Sequence, residues 1–394
     1  MKKPLRIGLV ATYGYDFLGG VEYIKNIVFA LSNLSKDVRS TFEICLICRK
    51  SSSALYDEAR PHVDHVYFLD TALGSPTIIN TIHWIIAFTL FNNRDPSYHG
   101  FLKKAQIDFV FPHFEASRRR RTYRSAAWIP DCQHKYLTQF FSEQEIQSRD
   151  KDFTSVAKYA SVIAFSSKNA EKDFREFFYK GKYEAKILFP RVYPLPVWYE
   201  ADPIKIQENY HLPDRFFFIN NQFWQHKNHR VVFEALKILS DREINPAVVC
   251  TGCMYDYRNP TFLDTTLQTI NRLGIAHQIY LLGIIPRIDM IGLLRRSIAM
   301  VQPSLFEGWS TVVEEASCLG KPIILSDIPI HIEQTPSHGI LFKSNSAEDL
   351  SHILANSWQN LEPGPESSRE SIARNLQLAE IQAFGYRFLN MARG

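Results

Sequence analysis

Cysteine is scarce: the 394 residues contain six. A disulfide scaffold is excluded, because such folds depend on dense cysteine in short chains. Two C-x-x-C pairs, Cys45/Cys48 and Cys250/Cys253, lie in or at the end of apolar, β-branched runs. Positions three apart on a strand face opposite sides of a sheet. Neither pair has a nearby His-x3-His, so no metal site is expected, and the cysteines read as core or loop residues in a reducing compartment. Excess charge is also small. Lys plus Arg number 45 against 41 Asp plus Glu, a net +4, too little for a general nucleic-acid binder. Long hydrophobic runs are missing as well. No signal peptide is visible before Leu5–Ala11. The most apolar stretch, Ile78–Phe91, is interrupted by Asn80, Thr81 and His83; it falls short of the ~20 residues of a membrane span. It reads as a buried helix, with a membrane-touching surface as the alternative. The expected location is the cytoplasm, with a peripheral place at the inner membrane face as its variant.

What is present points to a large globular chain. Apolar residues make up 45%, which excludes disorder. The length exceeds the roughly 250–300 residues at which single cores stop growing, so two domains are expected. Short apolar runs alternate with helical patterns. Strands are expected at Arg6–Ala11, Phe42–Cys48, His65–Leu69, Ile107–Phe111, Ala126–Ile129 and Val162–Ser166. A second series covers Phe216–Ile219, Ala247–Thr251, Ile279–Leu282, Ala299–Gln302 and Pro322–Ser326. Helix patterns such as Val21–Leu34, Lys227–Leu239 and Thr311–Leu319 separate them. This alternation implies parallel sheets built from βαβ crossovers. Three prolines in Phe189–Pro196 mark the linker. The expected fold is α/β, with two Rossmann-like, doubly wound parallel-sheet domains facing across a cleft. The expected domains are 1–195 and 196–365, followed by a C-terminal helix 366–394. Ligand belongs at the carboxyl ends of the strands.

The strongest local signal is Pro303-Ser304-Leu305-Phe306-Glu307-Gly308-Trp309-Ser310-Thr311-Val312-Val313-Glu314-Glu315-Ala316. A buried strand ends in a Pro-Ser turn, and a helix begins near Ser310. Free N–H groups and the helix dipole make such a start an anion site suited to diphosphate. Glu307 and Glu315, eight residues apart, can accept hydrogen bonds from hydroxyls on either side of a bound phosphate. The plain alternative keeps Glu307 as a helix cap and Glu315 as a solvated helical glutamate.

This run resembles the E-x7-E motif of retaining GT-B glycosyltransferases of the group 1 family, related to glycogen synthase and sucrose synthase. The text E-A-S-C-L-G-K-P-I-I-L-S-D-I-P at Glu315–Pro329 is similar to the family's following segment. The resemblance implies that Glu307 contacts donor-sugar hydroxyls and Glu315 the nucleotide ribose. It places Gly308, Trp309, Ser310 and Thr311 at the donor, makes 1–195 the acceptor-binding domain and 196–365 the nucleotide-sugar-binding domain, and has helix 366–394 pack back toward the first. In Asn221–Asn228, Lys227 matches the family's phosphate-gripping lysine, whereas Gln222 stands where the family has arginine. Gly19-Gly20, after the first strand, resembles the family's glycine loop near the donor phosphates; a simple turn is the alternative. There is no G-x-G-x-x-G, which disfavours a dehydrogenase. Pro130-Asp131-Cys132-Gln133-His134 resembles the family's H-D segment with proline replacing the leading histidine. Asp131 is carried over by the match, and His134 is named as a catalytic candidate on position and chemistry, with a core histidine as the alternative.

Arg118, Arg119, Arg120 and Arg121 form the dense basic run. They read as a solvated helix face or as a patch for an anionic acceptor or membrane, where each surface cation adds ~1 kcal/mol. Asp150-Lys151-Asp152 is formally D-x-D but lies in a polar stretch and is taken as chance. The expectation is therefore a hexosyl transfer from a nucleotide-diphosphate sugar to a glycan or lipid-linked acceptor, with retention. It needs no cofactor and no essential metal, and it belongs to bacterial-type surface polysaccharide synthesis. A GT-B nucleotide-sugar epimerase and a non-catalytic nucleotide-sugar-binding protein remain open beside it.

Overall fold

Leu5–Ala11 (β1) and Phe42–Cys48 (β2) are apolar runs broken by one charged residue each, Arg6 and Glu43, and such runs suit strands covered on both faces. β2 is almost entirely buried and β1 is buried along its middle, and they pair in parallel, Leu5 opposite Phe42 through Ala11 opposite Cys48. They belong to a computed structural model that describes residues 3–14, 17–72, 96–113, 122–178, 181–334, 336 and 338–394. Ile78–Phe91 and Arg118–Arg121 lie outside the described residues. The chain divides into two units. The first holds Met1–Lys135, Glu143–Tyr193 and Ala379–Gly394, and the second holds Tyr136–Ser142 and Pro194–Leu378.

In the first unit, β1, β2, β3 (His65–Phe68), β4 (Phe109–Phe111) and β5 (Arg124–Ser125) form one parallel sheet in the order β3-β2-β1-β4-β5. β6 (Ala127–Ile129), β7 (Val162–Phe165) and β8 (Glu184–Ile187) form another. α1 (Leu18–Ser32) is buried along most of its length. α2 (Glu143–Tyr159) and α3 (Lys168–Phe177) flank the second sheet, and the Ser167 hydroxyl caps α3 by accepting from the Ala170 N–H.

The second unit is one six-stranded parallel sheet, ordered β11-β10-β9-β12-β13-β14. Its strands are β9 (Phe217–Asn220), β10 (Val248–Thr251), β11 (Ile279–Gly283), β12 (Ala299–Gln302), β13 (Ile323–Ser326) and β14 (Gly339–Phe342). The helices α4 (His229–Ser240), α5 (Phe262–Leu273), α6 (Arg287–Arg296), α7 (Thr311–Cys318) and α8 (Ala347–Asn360) provide the crossovers and cover. Phe217, Ile219, Val232, Leu236, Val248 and Leu350 share one core. The strand order reverses between β9 and β12, which pair directly. That reversal opens a crevice beyond the carboxyl ends of the two strands, the usual ligand position in such sheets.

α9 (Ser367–Arg393) ends the chain. Its last part packs in the first unit: Phe384 and Phe388 are fully buried, and a Cβ on Gly385 would stand 2.6 Å from the Ala30 carbonyl oxygen on α1. Sequence and structure agree on the main strands within a residue or two. They differ at β5, β8 and β14, which lie at or beside sheet edges. β8 reads Glu-Ala-Lys-Ile and is half-exposed, so it lacks the apolar run that marks an inner strand. Among the described residues no helix is long and apolar enough to cross a membrane.

Candidate active site

Two loops at the reversal point build the site. One follows β9 and runs Asn221–Asn228; the other follows β12 and runs Pro303–Ser310. Asn228 takes a left-handed conformation (φ 54°), and its Nδ2 donates to the carbonyls of Pro303 and Ser344, both at 3.2 Å. The Leu305 N–H donates to the His226 carbonyl at 2.8 Å. The loops are therefore stitched together before any ligand enters.

Glu307 is the focus of this stitching. Its Oε1 accepts from Lys227 Nζ at 2.6 Å, Ser304 Oγ at 2.7 Å and Gln302 Nε2 at 3.0 Å. Oε2 accepts from no described residue, so one carboxylate oxygen is fixed and the other remains for a ligand. Gln302, at the end of β12, also donates to Ser310 Oγ at 3.0 Å and accepts from Asn221 Nδ2 at 2.5 Å. Glu315 is not a solvated helical glutamate: it is 3% exposed. Arg287 Nη2 donates to its Oε1 at 2.9 Å and Asn220 Nδ2 to its Oε2 at 3.3 Å. Both acids are thus anchored to consecutive residues at the end of β9, Glu315 through Asn220 and Glu307 through Asn221 and Gln302.

The start of α7 differs from expectation at one position. The Ser310 N–H is not open to an anion, because Gln334 Oε1 accepts it at 3.2 Å. Gln334 Nε2 donates back to the Ser310 carbonyl at 2.8 Å and to Glu314 Oε1 at 3.0 Å. The same carboxylate oxygen takes the Trp309 indole N–H at 3.1 Å, so Trp309 is a brace of the loop rather than an unengaged donor contact. Among the described residues no acceptor meets the N–H groups of Thr311, Val312 and Val313, as first-turn geometry predicts. The run of open N–H groups therefore starts one residue later than the sequence suggests. Gly308 lies half-buried between Glu307 and this end.

Gln222 is half-buried, with no hydrogen bond from its side chain among the described residues, so its amide is available to donate. Gly252 (φ 127°) holds the loop after β10 against it: a Cβ there would stand 2.3 Å from the Asn221 oxygen and 2.9 Å from the Gln222 nitrogen. His226 and His229 are buried beside Lys227. Burial first, and the lysine's charge second, drive the His229 pKa down to about 3 and that of His226 well below its ordinary value. His331 falls to about 4, chiefly through burial.

The first-unit candidates fare differently. His134 is not a substrate-facing group. Its ring is wholly buried against Phe153 and Phe178, and Nε2 meets Asp150 Oδ1 at 3.0 Å. Asp150 also takes Lys135 Nζ at 2.6 Å, which gives the D-x-D aspartate a structural role. Asp131, half-buried at the carboxyl end of β6, accepts the Gln133 N–H at 2.9 Å and opens the turn after it. Gly20 is demanded by packing: a Cβ would lie 2.6 Å from the Phe17 ring and 2.8 Å from Tyr13. Gly19 is exposed. The anchors Asn220, Asn221, Gln302 and Ser304 escaped the sequence reading, whereas Arg287 lies in a loop, Gly283–Arg287, expected to help select the donor. Their one sequence signal is a pair of amides directly after the apolar run Phe216–Ile219.

Residues 202–374 match the family model of glycosyl transferases, group 1. An uncharacterised glycosyltransferase of Methanocaldococcus jannaschii is 24% identical over 244 residues, which are 57% of this chain and 56% of that protein. The chain thus spans little more than half the length of this curated relative. The solved structure of Anabaena HepE in complex with UDP and glucose superposes with a TM-score of 0.66 at 14% identity, covering 98% of this chain and 99% of that one. The structure of WaaG, a glycosyltransferase involved in lipopolysaccharide biosynthesis, gives 0.58 at 14% identity, covering 96% and 95%. The likeness to these structures is one of fold: two Rossmann-like units of the GT-B type.

Proposed function

We propose that this chain, whose residues 202–374 match the family model of glycosyl transferases, group 1, moves a sugar from a nucleotide-diphosphate donor to a glycan or lipid-linked acceptor with retention of anomeric configuration. The observation that carries this reading is the joint anchoring of Glu307, Glu315 and Lys227 at the end of β9, beside a helix start with unclaimed N–H groups. Such a cradle has the parts a nucleotide sugar needs. Lys227, the N–H groups of Thr311 to Val313 and the Gln222 amide oppose the charge that grows on the departing diphosphate. Glu307 Oε2 orients a sugar hydroxyl. Glu315 accepts from the ribose, since a carboxylate oxygen can take more than one donor.

In the reaction the anomeric C–O bond to phosphate breaks as the bond to the acceptor oxygen forms on the same face. A phosphate oxygen takes the acceptor proton, so no protein nucleophile is required. Positive charge from Lys227 and the helix end serves in place of a divalent ion, and full activity in a chelator is expected. HepE was solved with UDP and glucose, which makes uridine donors the first to try. Loops of the first unit are proposed to read the acceptor. WaaG's part in lipopolysaccharide biosynthesis favours a surface-polysaccharide product, made in the cytoplasm or at the inner membrane face.

The test is release of nucleoside diphosphate from a panel of nucleotide sugars, with and without acceptor glycans. Glu307→Gln is expected to lower kcat/KM by ~100-fold or more while the fold persists. Equal turnover by this variant refutes the reading. Isomerised donor without transfer would point to an epimerase instead.

A further inference from the structure

Lys227 shares its charge with Glu307 at 2.6 Å, and Gln222 carries none. The β9 loop is therefore poor in cation for a dianionic ligand. The loop after β10 brings one to it. The Asn221 N–H donates to the Thr251 carbonyl at 3.1 Å and the Phe223 N–H to the Cys253 carbonyl at 2.8 Å, so the two loops are laced side by side. Gly252 permits this closeness, as its Cβ contacts show. Arg258 lies at the far end of the laced loop and folds back over it. Its guanidinium carbon stands 4.7 Å from the Trp224 ring centre, 5.4 Å from Phe141 and 5.6 Å from Tyr257.

Within this aromatic box the Arg258 side chain is 9% exposed. Nε donates to Asp256 Oδ1 at 3.3 Å, and Nη2 lies 3.5 Å from His226 Nδ1. Nη1 meets no acceptor among the described residues. With Nε and Nη2 engaged, Nη1 is the donor left for a group that arrives. His226 adjoins Lys227 in sequence, and the charges of both Lys227 and Arg258 act on its ring. Through His226, Arg258 of the β10 loop stands against the β9 loop that carries Lys227.

We infer that Arg258 is a contact for the donor diphosphate, its Nη1 donating to a phosphate oxygen and supplying the cation that position 222 lacks. The inference rests on the nucleotide-sugar reading of this site. An arginine fork suits phosphate geometry, and the surrounding rings exclude water that would weaken the attraction.

The test uses the whole protein and calorimetric titration with UDP, GDP and ADP, each against its own nucleoside. Arg258→Gln is expected to weaken the best-binding diphosphate by about tenfold or more and to leave the nucleoside within about twofold. Adding Gln222→Arg to that variant should recover at least about half of the loss on a logarithmic scale. Arg258→Lys, which keeps the charge and the stem, should lose only about three- to fivefold and stands in if the glutamine variant unfolds. An unchanged diphosphate Kd overturns the assignment, whether or not an acceptor KM rises. Equal losses for diphosphate and nucleoside overturn it too, marking a loop brace only. If the unaltered protein binds no diphosphate, the donor reading itself falls, a result distinct from failure at Arg258 alone.

Discussion

Glu307 shows how one side chain can be divided between scaffold and ligand. Three donors fix Oε1, and the geometry of Oε2 follows from that. Lys227 is one of the three, so Lys227→Met removes a charge yet leaves Ser304 and Gln302 in place. We expect kcat/KM to drop by ~100- to 1000-fold in steady-state assays, with a melting temperature close to that of the parent. The buried histidines set the acid limit of the protein. His229 and His331 titrate at about 3 and about 4 in the folded chain, chiefly because burial penalises the charged ring, against about 6.5 unfolded. Between those values the unfolded state holds more protons, so stability rises with pH across the window. It is fully present above about pH 6.5 and is lost as pH falls toward 4, at a cost on the order of 3 kcal/mol per ring. Urea melts at pH 7 and pH 4.5 should show this, and His229→Phe should flatten the difference.

At the scale of elements, the site depends on how loops leave the sheet. Gly252 has φ 127° and no room for a Cβ beside Asn221. Gly252→Ala must therefore strain the backbone and push the β9 loop away. The expected cost is ~2–4 kcal/mol, accompanied by weaker nucleoside diphosphate binding, and both are read from one ligand-dependent melt. α7 offers a second lesson. Its dipole end faces the site, but Gln334 and Glu314 tie down Ser310 and Trp309, so the helix presents N–H groups from Thr311 onward. The run Glu307–Ala316 was legible in the sequence because it is local: strand end, turn and helix start follow one another along the chain. The ties to Gln334 were not, because that residue is 24 positions away from Ser310 and nothing in the intervening pattern marks it.

For the whole molecule, the two units are not simple halves of the chain. The first is completed by Ala379–Gly394, where Phe384 and Phe388 are fully buried and Arg124 donates to the carbonyls of Met391 and Ala392. Deleting residues 379–394 exposes that core face. The expected result is selective loss of the first unit, seen as a lower first transition in calorimetry, while the second unit keeps its nucleotide-dependent stabilisation. A single unchanged transition would contradict it.

By itself, the sequence determined the α/β class, the inner strands, the identity of Glu307, Glu315 and Lys227 as one constellation, and the helix start beside them. Apolar periodicity and short-range motifs are local, and local order survives in a string of letters. Tertiary structure alone decided which candidates meet. It buried His134 against Phe153, gave Glu315 to Arg287 and Asn220, closed the Ser310 amide, and set Arg258 over Trp224. Each of these joins residues far apart along the chain, and only the packing of strand upon strand fixes which distant side chains become neighbours.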